Sequence, residues 1–168
     1  MIAINGSLIP IDGFTFNGSM AGEALRRGWT YDNNGKYWFK NGAKFKHMYW
    51  PIIETFDLGQ YSFADVSDRI VVDIGAFIGD SAIYFALKGA RKVYAVEPHP
   101  SAYTEMLGNI KLNNMEGKVV SINAALGSKS GRIKIPNVDI NTTGGTYHGL
   151  SSNGDVEVPI NYTKSVNK

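Results

Sequence analysis

The chain has 168 residues, with 17 Lys and Arg, 15 Asp and Glu, and no cysteine. At roughly 150 residues per domain this length allows one full domain with some extra. The net charge of +2 excludes a strong overall attraction to nucleic acid or acidic membranes, and the absence of cysteine excludes disulfides and cysteine-based metal sites. The 43% of hydrophobic residues predicts a folded protein. Because the sequence shows neither an export signal nor an apolar run of about 18 residues, we expect a cytoplasmic protein without a membrane span.

Residues 1–68 predict a small N-terminal α+β subdomain. A helical stretch at 20–27 ends at Gly28, and the segments between Trp29 and Lys46 read as an antiparallel meander with Asn-Gly turns. Lysines alternate with aromatic residues here, so a surface for single-stranded nucleic acid is one interpretation. A half-buried sheet face is favoured, because residues 1–68 hold 6 basic and 7 acidic side chains. After Pro51 we expect a linking stretch, 52–68, that packs against the next domain through Phe56, Tyr61, Phe63 and Val66.

Residues 69–168 follow a different pattern, in which short buried strands alternate with helices. The strands are expected at 69–74, 92–97 and 119–123, and the helices at 81–87 and from Pro100 to Asn113. Two alternating strands follow at 132–135 and 156–160 on either side of a polar loop, and Pro159 is typical of a sheet edge. The pattern predicts an α/β fold with a parallel sheet, which begins a second domain at residue 69.

The candidate site lies in the first strand-to-helix turn, D-I-G-A-F-I-G-D, and at the end of the second strand. Gly75 and Gly79 allow backbone to approach a ligand, and the helix N-terminus beyond them favours an anionic group. Glu97 follows Asp73 by 24 residues, where a carboxylate can accept hydrogen bonds from a ribose. Each feature alone is equally explained by a tight turn or a solvated carboxylate. Together they favour a nucleoside.

The spacing of the glycines discriminates between nucleosides. The dinucleotide fingerprint G-x-G-x-x-G fails here, because Phe77 and Asp80 stand at two of its glycine positions. A nicotinamide cofactor is therefore disfavoured. S-adenosylmethionine suits the turn better, since its ammonium would meet an acid such as Asp73 and its carboxylate would meet backbone N–H groups.

Three segments, VVDIGAFIGDSAIYFAL, VYAVEPHPSAYTEMLGNIKLNN and NAALGSKSG, resemble the FkbM-type family of S-adenosylmethionine-dependent methyltransferases over about residues 69–135. Phe77 and His99 replace residues that are usually Asn in that family. The resemblance implies a Rossmann-like class I methyltransferase sheet, S-adenosylmethionine as cofactor, and O-methyl transfer to a small-molecule or sugar hydroxyl. The cofactor-binding residues that it implies are Asp73, Gly75, Ala76, Phe77, Gly79, Asp80, Glu97, Pro98, Asn123 and Ala124.

The resemblance also divides these residues by role. Asp73 and the backbone from Gly75 to Gly79 would hold the methionine part, Glu97 the ribose, and Asn123 with Ala124 would flank the adenine. Gln60 and Tyr61 are weaker candidates for covering the ligand. No catalytic base is assigned, and none of the histidines, His47, His99 and His148, has the spacing of a metal site. His99 is interpreted as a helix-entry residue rather than a catalytic one.

The family's fourth strand, with an acidic motif similar to D-x-E-G, does not occur before Lys168. We therefore expect a sheet that is incomplete on its C-terminal side, in a fragment or in a short protein that its N-terminal residues or a second subunit completes. An exposed parallel edge predicts a homodimer. The alternative to an enzyme is a cofactor-binding or interaction module that lacks the acceptor half and turns nothing over.

Overall fold

The computed structural model describes residues 2–4, 7–9, 19–137, 140 and 154–162, the backbone alone at 2–4, 7–9, 19 and 162. The N-terminal part begins with the antiparallel strands β1 (Ile2–Ile4) and β2 (Ser7–Ile9) and the helix α1 (Ser19–Arg26). The predicted meander is confirmed as an antiparallel sheet of β3 (Thr30–Asp32), β4 (Tyr37–Lys40) and β5 (Ala43–Phe45). Asp32 Oδ1 closes the first turn by accepting from the amides of Asn34 and Gly35.

The expectation of a linking stretch after Pro51 is wrong at its start, because a helix, α2 (Trp50–Phe56), occupies this position. Proline is favoured in the first turn of a helix, where its missing N–H has no partner to lose. Phe56 and Tyr61 pack on the rings of Tyr84 and Phe85 as expected, with centroids 5.5 Å and 5.0 Å apart. Phe63 departs from the prediction, since 85% of its surface is exposed.

The predicted βαβ units are confirmed in their order. They comprise β6 (Ile70–Ile74), α3 (Asp80–Leu87), β7 (Lys92–Val96), α4 (Pro100–Leu112) and β8 (Val119–Ile122). The three strands are parallel in the order β6-β7-β8, so their carboxyl ends meet at one edge. Within the described ranges no helix is long and apolar enough to cross a membrane.

The strand β6 is less buried than its sequence predicts. Ile70, Val72 and Ile74 point to one face of the sheet and are 56%, 59% and 66% exposed, whereas Asp73 on the other face is buried. Parallel strands are normally covered on both faces. Within the part of the chain that the structure describes, these three side chains remain exposed to solvent. The homodimer expected from an exposed parallel edge stays a prediction.

A small sheet follows, made of β9 (Ala125–Gly127), β10 (Gly131–Ile135) and β11 (Val156–Tyr162) in the order β10-β11-β9. The expectation that Pro159 marks a sheet edge is wrong, because β11 is the central strand. Pro159 is tolerated there because β9 pairs only with residues 160–162, beyond the proline. The loop between β10 and β11 lies largely outside the described residues, as does His148.

The two halves of the chain share a hydrophobic core. Trp29 and Ile52 from the N-terminal half pack in one buried cluster with Ile78 and Ile83. The latter two belong to the parallel unit, which we define as residues 70–122, from β6 to β8. The Asn109 side chain on α4 also links the two halves. It accepts a hydrogen bond from the Lys46 amide at 3.1 Å and donates one to the Ile78 carbonyl at 3.0 Å. The domain boundary at residues 68 and 69 stays a prediction, and the packing across it is continuous.

Candidate functional site

The turn between β6 and α3 has an unusual backbone. Gly75, Phe77 and Gly79 all have positive φ angles, of 78°, 46° and 84°. A left-handed conformation is easy for glycine and uncommon for an aromatic residue. The Phe77 ring packs edge-on against Tyr49 of the N-terminal half, with centroids 5.7 Å apart, and its amide points to Glu97.

Most of the turn's amides are already used inside the protein. The N–H groups of Gly75 and Ala76 both donate to the Val96 carbonyl, at 2.9 Å and 3.1 Å, and that of Gly79 donates to the Ala76 carbonyl. The Phe77 amide donates to Glu97 Oε2 at 2.9 Å. A single N–H that is already donated has no hydrogen left to offer, so these four amides are engaged within the protein, and the assignment of the backbone from Gly75 to Gly79 to the methionine part stays a prediction.

Glu97 lies directly after β7 and is 5% exposed. Its Oε2 accepts from the Phe77 amide, and its Oε1 accepts from the His99 amide at 2.7 Å. Burial raises the pKa of Glu97, these two hydrogen bonds oppose that rise, and the charge of Asp73 adds to it. Each carboxylate oxygen has about two acceptor sites, so Glu97 can still accept two further hydrogen bonds from a ligand.

The neighbours predicted for the adenine side lie at the same edge of the sheet. Asn123 follows β8 and its amide nitrogen donates to the carbonyls of Glu97 and Pro98, at 2.8 Å and 3.2 Å. Ala124 is buried beside it. His99 precedes α4 as its N-cap, which agrees with its interpretation as a helix-entry residue. The structure thus brings the ends of β7 and β8 together through one side chain.

Two more carboxylates flank the turn. Asp73 is the second-last residue of β6, is 9% exposed, and accepts from the Ser81 hydroxyl at 2.7 Å. Asp80 begins α3, is 5% exposed, and accepts from the Thr55 hydroxyl at 2.7 Å. Burial raises the pKa of both acids, and for Asp80, where the charge of Asp73 adds to the effect, to about 6. The Ser81 and Thr55 hydrogen bonds oppose the rise at Asp73 and Asp80 respectively.

Sequence reasoning misses Thr55. It lies on α2, is 1% exposed, and is the side chain that joins the N-terminal half to Asp80. A segment that is expected to be a linker gives no reason to look for a site residue, although its Pro51 could have indicated a helix start. Tyr61, a weak candidate for covering the ligand, lies where burial and the charges of Asp73 and Asp80 raise the pKa of its phenol.

The three buried acids have no cationic partner among the residues that the structure describes. The ion pairs of that part of the chain involve other carboxylates, and none includes Asp73, Asp80 or Glu97. The described residues also contain no group of three or more potential metal ligands. A buried carboxylate without a cationic partner lowers the stability of the fold, and a bound cationic ligand would offset that loss.

Asp80 makes the stability of the folded chain depend on pH. An acid whose pKa is raised by folding holds its proton more tightly when folded, so its stabilising contribution is complete below about pH 4 and is lost as the pH rises through about 6. The two-unit rise corresponds to on the order of 3 kcal/mol. We expect urea denaturation to show that Asp80→Asn loses this decline in unfolding free energy between pH 4 and pH 7. An equal slope in Asp80→Asn and the wild type would contradict the assignment, and Asp155→Asn, at an exposed acid, is the control.

A family model for the TRM5/TYW2 methyltransferase domain matches residues 60–142. This segment contains β6, α3, β7, α4 and β8, and with them every residue of the candidate site except Thr55 and Tyr49. The family is a different one from the FkbM type that the sequence resembles, and the FkbM assignment is not confirmed.

The curated relatives are also methyltransferases. The chain is 38% identical over 73 residues to "Protein arginine N-methyltransferase 6" of Danio rerio, which covers 43% of this chain and 21% of that protein. It is 42% identical over 53 residues to "tRNA (guanine(37)-N(1))-methyltransferase Trm5b" of Methanocaldococcus jannaschii, covering 32% of this chain and 15% of that protein. The matches span about a fifth or less of the length of these relatives.

Among solved structures, M. jannaschii TYW2 in complex with AdoMet is similar over 52% of this chain and 42% of that chain, with 30% identity and a TM-score of 0.44. The order of the parallel strands and the family match agree on the fold class predicted from the sequence. The chain therefore carries a Rossmann-like methyltransferase domain of the S-adenosylmethionine-dependent class.

Proposed function

We propose that the chain binds S-adenosylmethionine at the turn between β6 and α3 and transfers its methyl group. The observation that carries this proposal is the geometry of Glu97, a buried carboxylate fixed by two backbone amides with acceptor capacity left on both oxygens. The two hydroxyls of a ribose are donors that match it. Asp73, at the end of the adjacent strand, is then the partner of the cofactor's ammonium.

The chemistry of the site also favours this cofactor over a dinucleotide. A pyrophosphate needs free backbone N–H groups at the glycine turn, and those of Gly75, Ala76 and Gly79 are donated to carbonyls inside the protein. Three buried acids would repel its negative charges. The bound cofactor would supply a methyl group on a positively charged sulfur, and the protein's part is to hold that group in line with an acceptor.

Binding of S-adenosylhomocysteine, followed by isothermal titration calorimetry, tests the proposal. We expect saturable binding to the wild type, binding about 10- to 100-fold weaker for Glu97→Gln, which lacks the acceptor-only carboxylate, and no binding of NAD. Glu116→Gln, at an exposed acid on the turn after α4, is the matched control and should bind as the wild type does. A folded wild-type protein that does not bind S-adenosylhomocysteine would overturn the proposal.

The acceptor proposed from the FkbM resemblance is a hydroxyl of a small molecule or a sugar. The names of the relatives give other acceptors, a guanine of tRNA and protein arginine. Incubation with methyl-labelled S-adenosylmethionine and one acceptor of each class separates them. Label on the sugar supports the hydroxyl proposal, and label on tRNA or on protein contradicts it.

A further inference from the structure

The two acids on either side of the cofactor turn are held by hydroxyl groups from different parts of the molecule. Asp73 accepts from Ser81, in the same βα unit, whereas Asp80 accepts from Thr55 on the N-terminal helix α2. Thr55 and Asp80 are 1% and 5% exposed, so water has little access to their contact. The first helical turn of the cofactor site therefore depends on a donor from outside the parallel unit.

The charges of Asp73 and Asp80 are coupled. Ionised Asp73 raises the pKa of Asp80, because two negative charges in a buried site disfavour each other. A hydrogen bond donated to a carboxylate favours its ionised form, and the Thr55 hydroxyl acts on Asp80 in this direction. Loss of the Thr55 hydroxyl would therefore leave Asp80 neutral up to a higher pH.

We propose that Thr55 is a positioning residue of the cofactor site, which through Asp80 maintains the negative charge beside Asp73 and thereby the affinity for the cofactor's ammonium. The inference rests on the proposed function, since it takes Asp73 as the partner of that ammonium. Asp80 need not touch the ligand, because a buried charge acts over several ångströms at low dielectric.

The other titratable groups near Asp80 do not supply the same effect. Tyr61 faces the pair from the segment before β6, and its raised pKa keeps its phenol neutral across the pH range of interest. Glu54 acts on Tyr61 from α2. Glu97 is coupled to Asp73 from the end of β7 and has His99 beside it, so the test must separate the ribose side from the methionine side.

The test compares two nucleosides between pH 5 and pH 7.5 by calorimetry. S-adenosylhomocysteine carries the amino-acid end with its ammonium, and 5′-methylthioadenosine lacks it and reports the ribose and adenine side alone. We expect the affinity of wild-type protein for S-adenosylhomocysteine to fall as the pH decreases through about 6. In Thr55→Val this fall should begin at a higher pH, with binding about fivefold weaker at pH 6.5 and close to wild type at pH 7.5.

Two further variants control the experiment. Thr55→Ser restores the hydroxyl and should restore the wild-type pH profile. Asp80→Asn carries no charge at position 80 at any pH, so it should bind S-adenosylhomocysteine at least about fivefold more weakly than the wild type at pH 7.5 and lose the fall through about pH 6. This second variant keeps the proposal testable if Thr55→Val does not fold. Binding of 5′-methylthioadenosine should be the same in the wild type and in all three variants.

The outcomes separate the inference from the proposed function. Equal pH profiles for S-adenosylhomocysteine in the wild type and Thr55→Val, or an equal shift with 5′-methylthioadenosine, would overturn the positioning role while leaving the cofactor site in place. If neither nucleoside binds the folded wild type at any pH, the proposed function fails and the inference fails with it.

Discussion

Replacing Gly79 with alanine is expected to lower the free energy of unfolding by about 4 kcal/mol. Gly79 has φ of 84°, so any side chain at this position is strained, at a cost of about 1–3 kcal/mol. A Cβ would also lie 2.9 Å from Cγ of the fully buried Met106 on α4, and overpacking of this kind costs about 1–3 kcal/mol more. Urea denaturation at pH 7 measures the change.

Two other glycines provide matched controls. Gly75 has φ of 78°, and a Cβ at this position would have nothing within 4 Å, so Gly75→Ala should show the backbone strain alone. Gly108 lies in the interior of α4 with open space around it, and Gly108→Ala should stabilise the chain by about 0.5–1 kcal/mol. Equal losses for Gly79→Ala and Gly75→Ala would contradict the close packing of the turn against α4.

The second large effect is expected at Asn109, which is fully buried on α4. Asn109→Leu keeps the size of the side chain and removes both of its hydrogen bonds, leaving the Ile78 carbonyl and the Lys46 amide without their partner. The Ile78 carbonyl is buried and would be left unsatisfied at a cost of about 1–3 kcal/mol, whereas Lys46 is exposed, so we expect the free energy of unfolding to fall by about 3 kcal/mol. The same denaturation experiment measures this loss.

Asn113 is the control for burial. It lies one turn later, directly after α4, and its side chain accepts from the Lys44 amide at 2.9 Å and donates to the Lys44 carbonyl at 2.7 Å. Because Asn113 is half-buried, water can replace these bonds, and Asn113→Leu should cost about 1 kcal/mol. If the two substitutions cost the same, burial is not what makes Asn109 important.

The elements that the sequence predicts well are those whose signals are local. The meander has Asn-Gly turns, the parallel strands are short β-branched runs, and Pro100 and Gly89 border the helices. The helix α2 escapes prediction because its seven residues are too few to show a helical period. The central position of β11 depends on pairing across the polar loop, which no local pattern encodes.

The candidate site divides in the same way. Asp73 and Glu97 follow from strand ends, and the parallel order of β6 and β7 brings these ends together. The hydrogen-bond partners of the acids and of the turn's backbone amides could not be predicted, because they depend on tertiary packing. Thr55 reaches Asp80 from a helix 25 residues earlier, and the Gly75 and Ala76 amides turn towards Val96 instead of a ligand.

The bonds between β5 and α4 have a consequence for how the chain is made. The partners Lys44 and Asn113 are 69 residues apart, and Lys46 and Asn109 are 63 apart. At a synthesis rate of roughly 5–20 residues per second, the aromatic meander waits about 3–14 s on the ribosome before these asparagines emerge. During that time β5 lacks its hydrogen-bond partners on α4, whereas Ile78 and Ile83, which pack with the meander, emerge earlier and can already cover its apolar side chains.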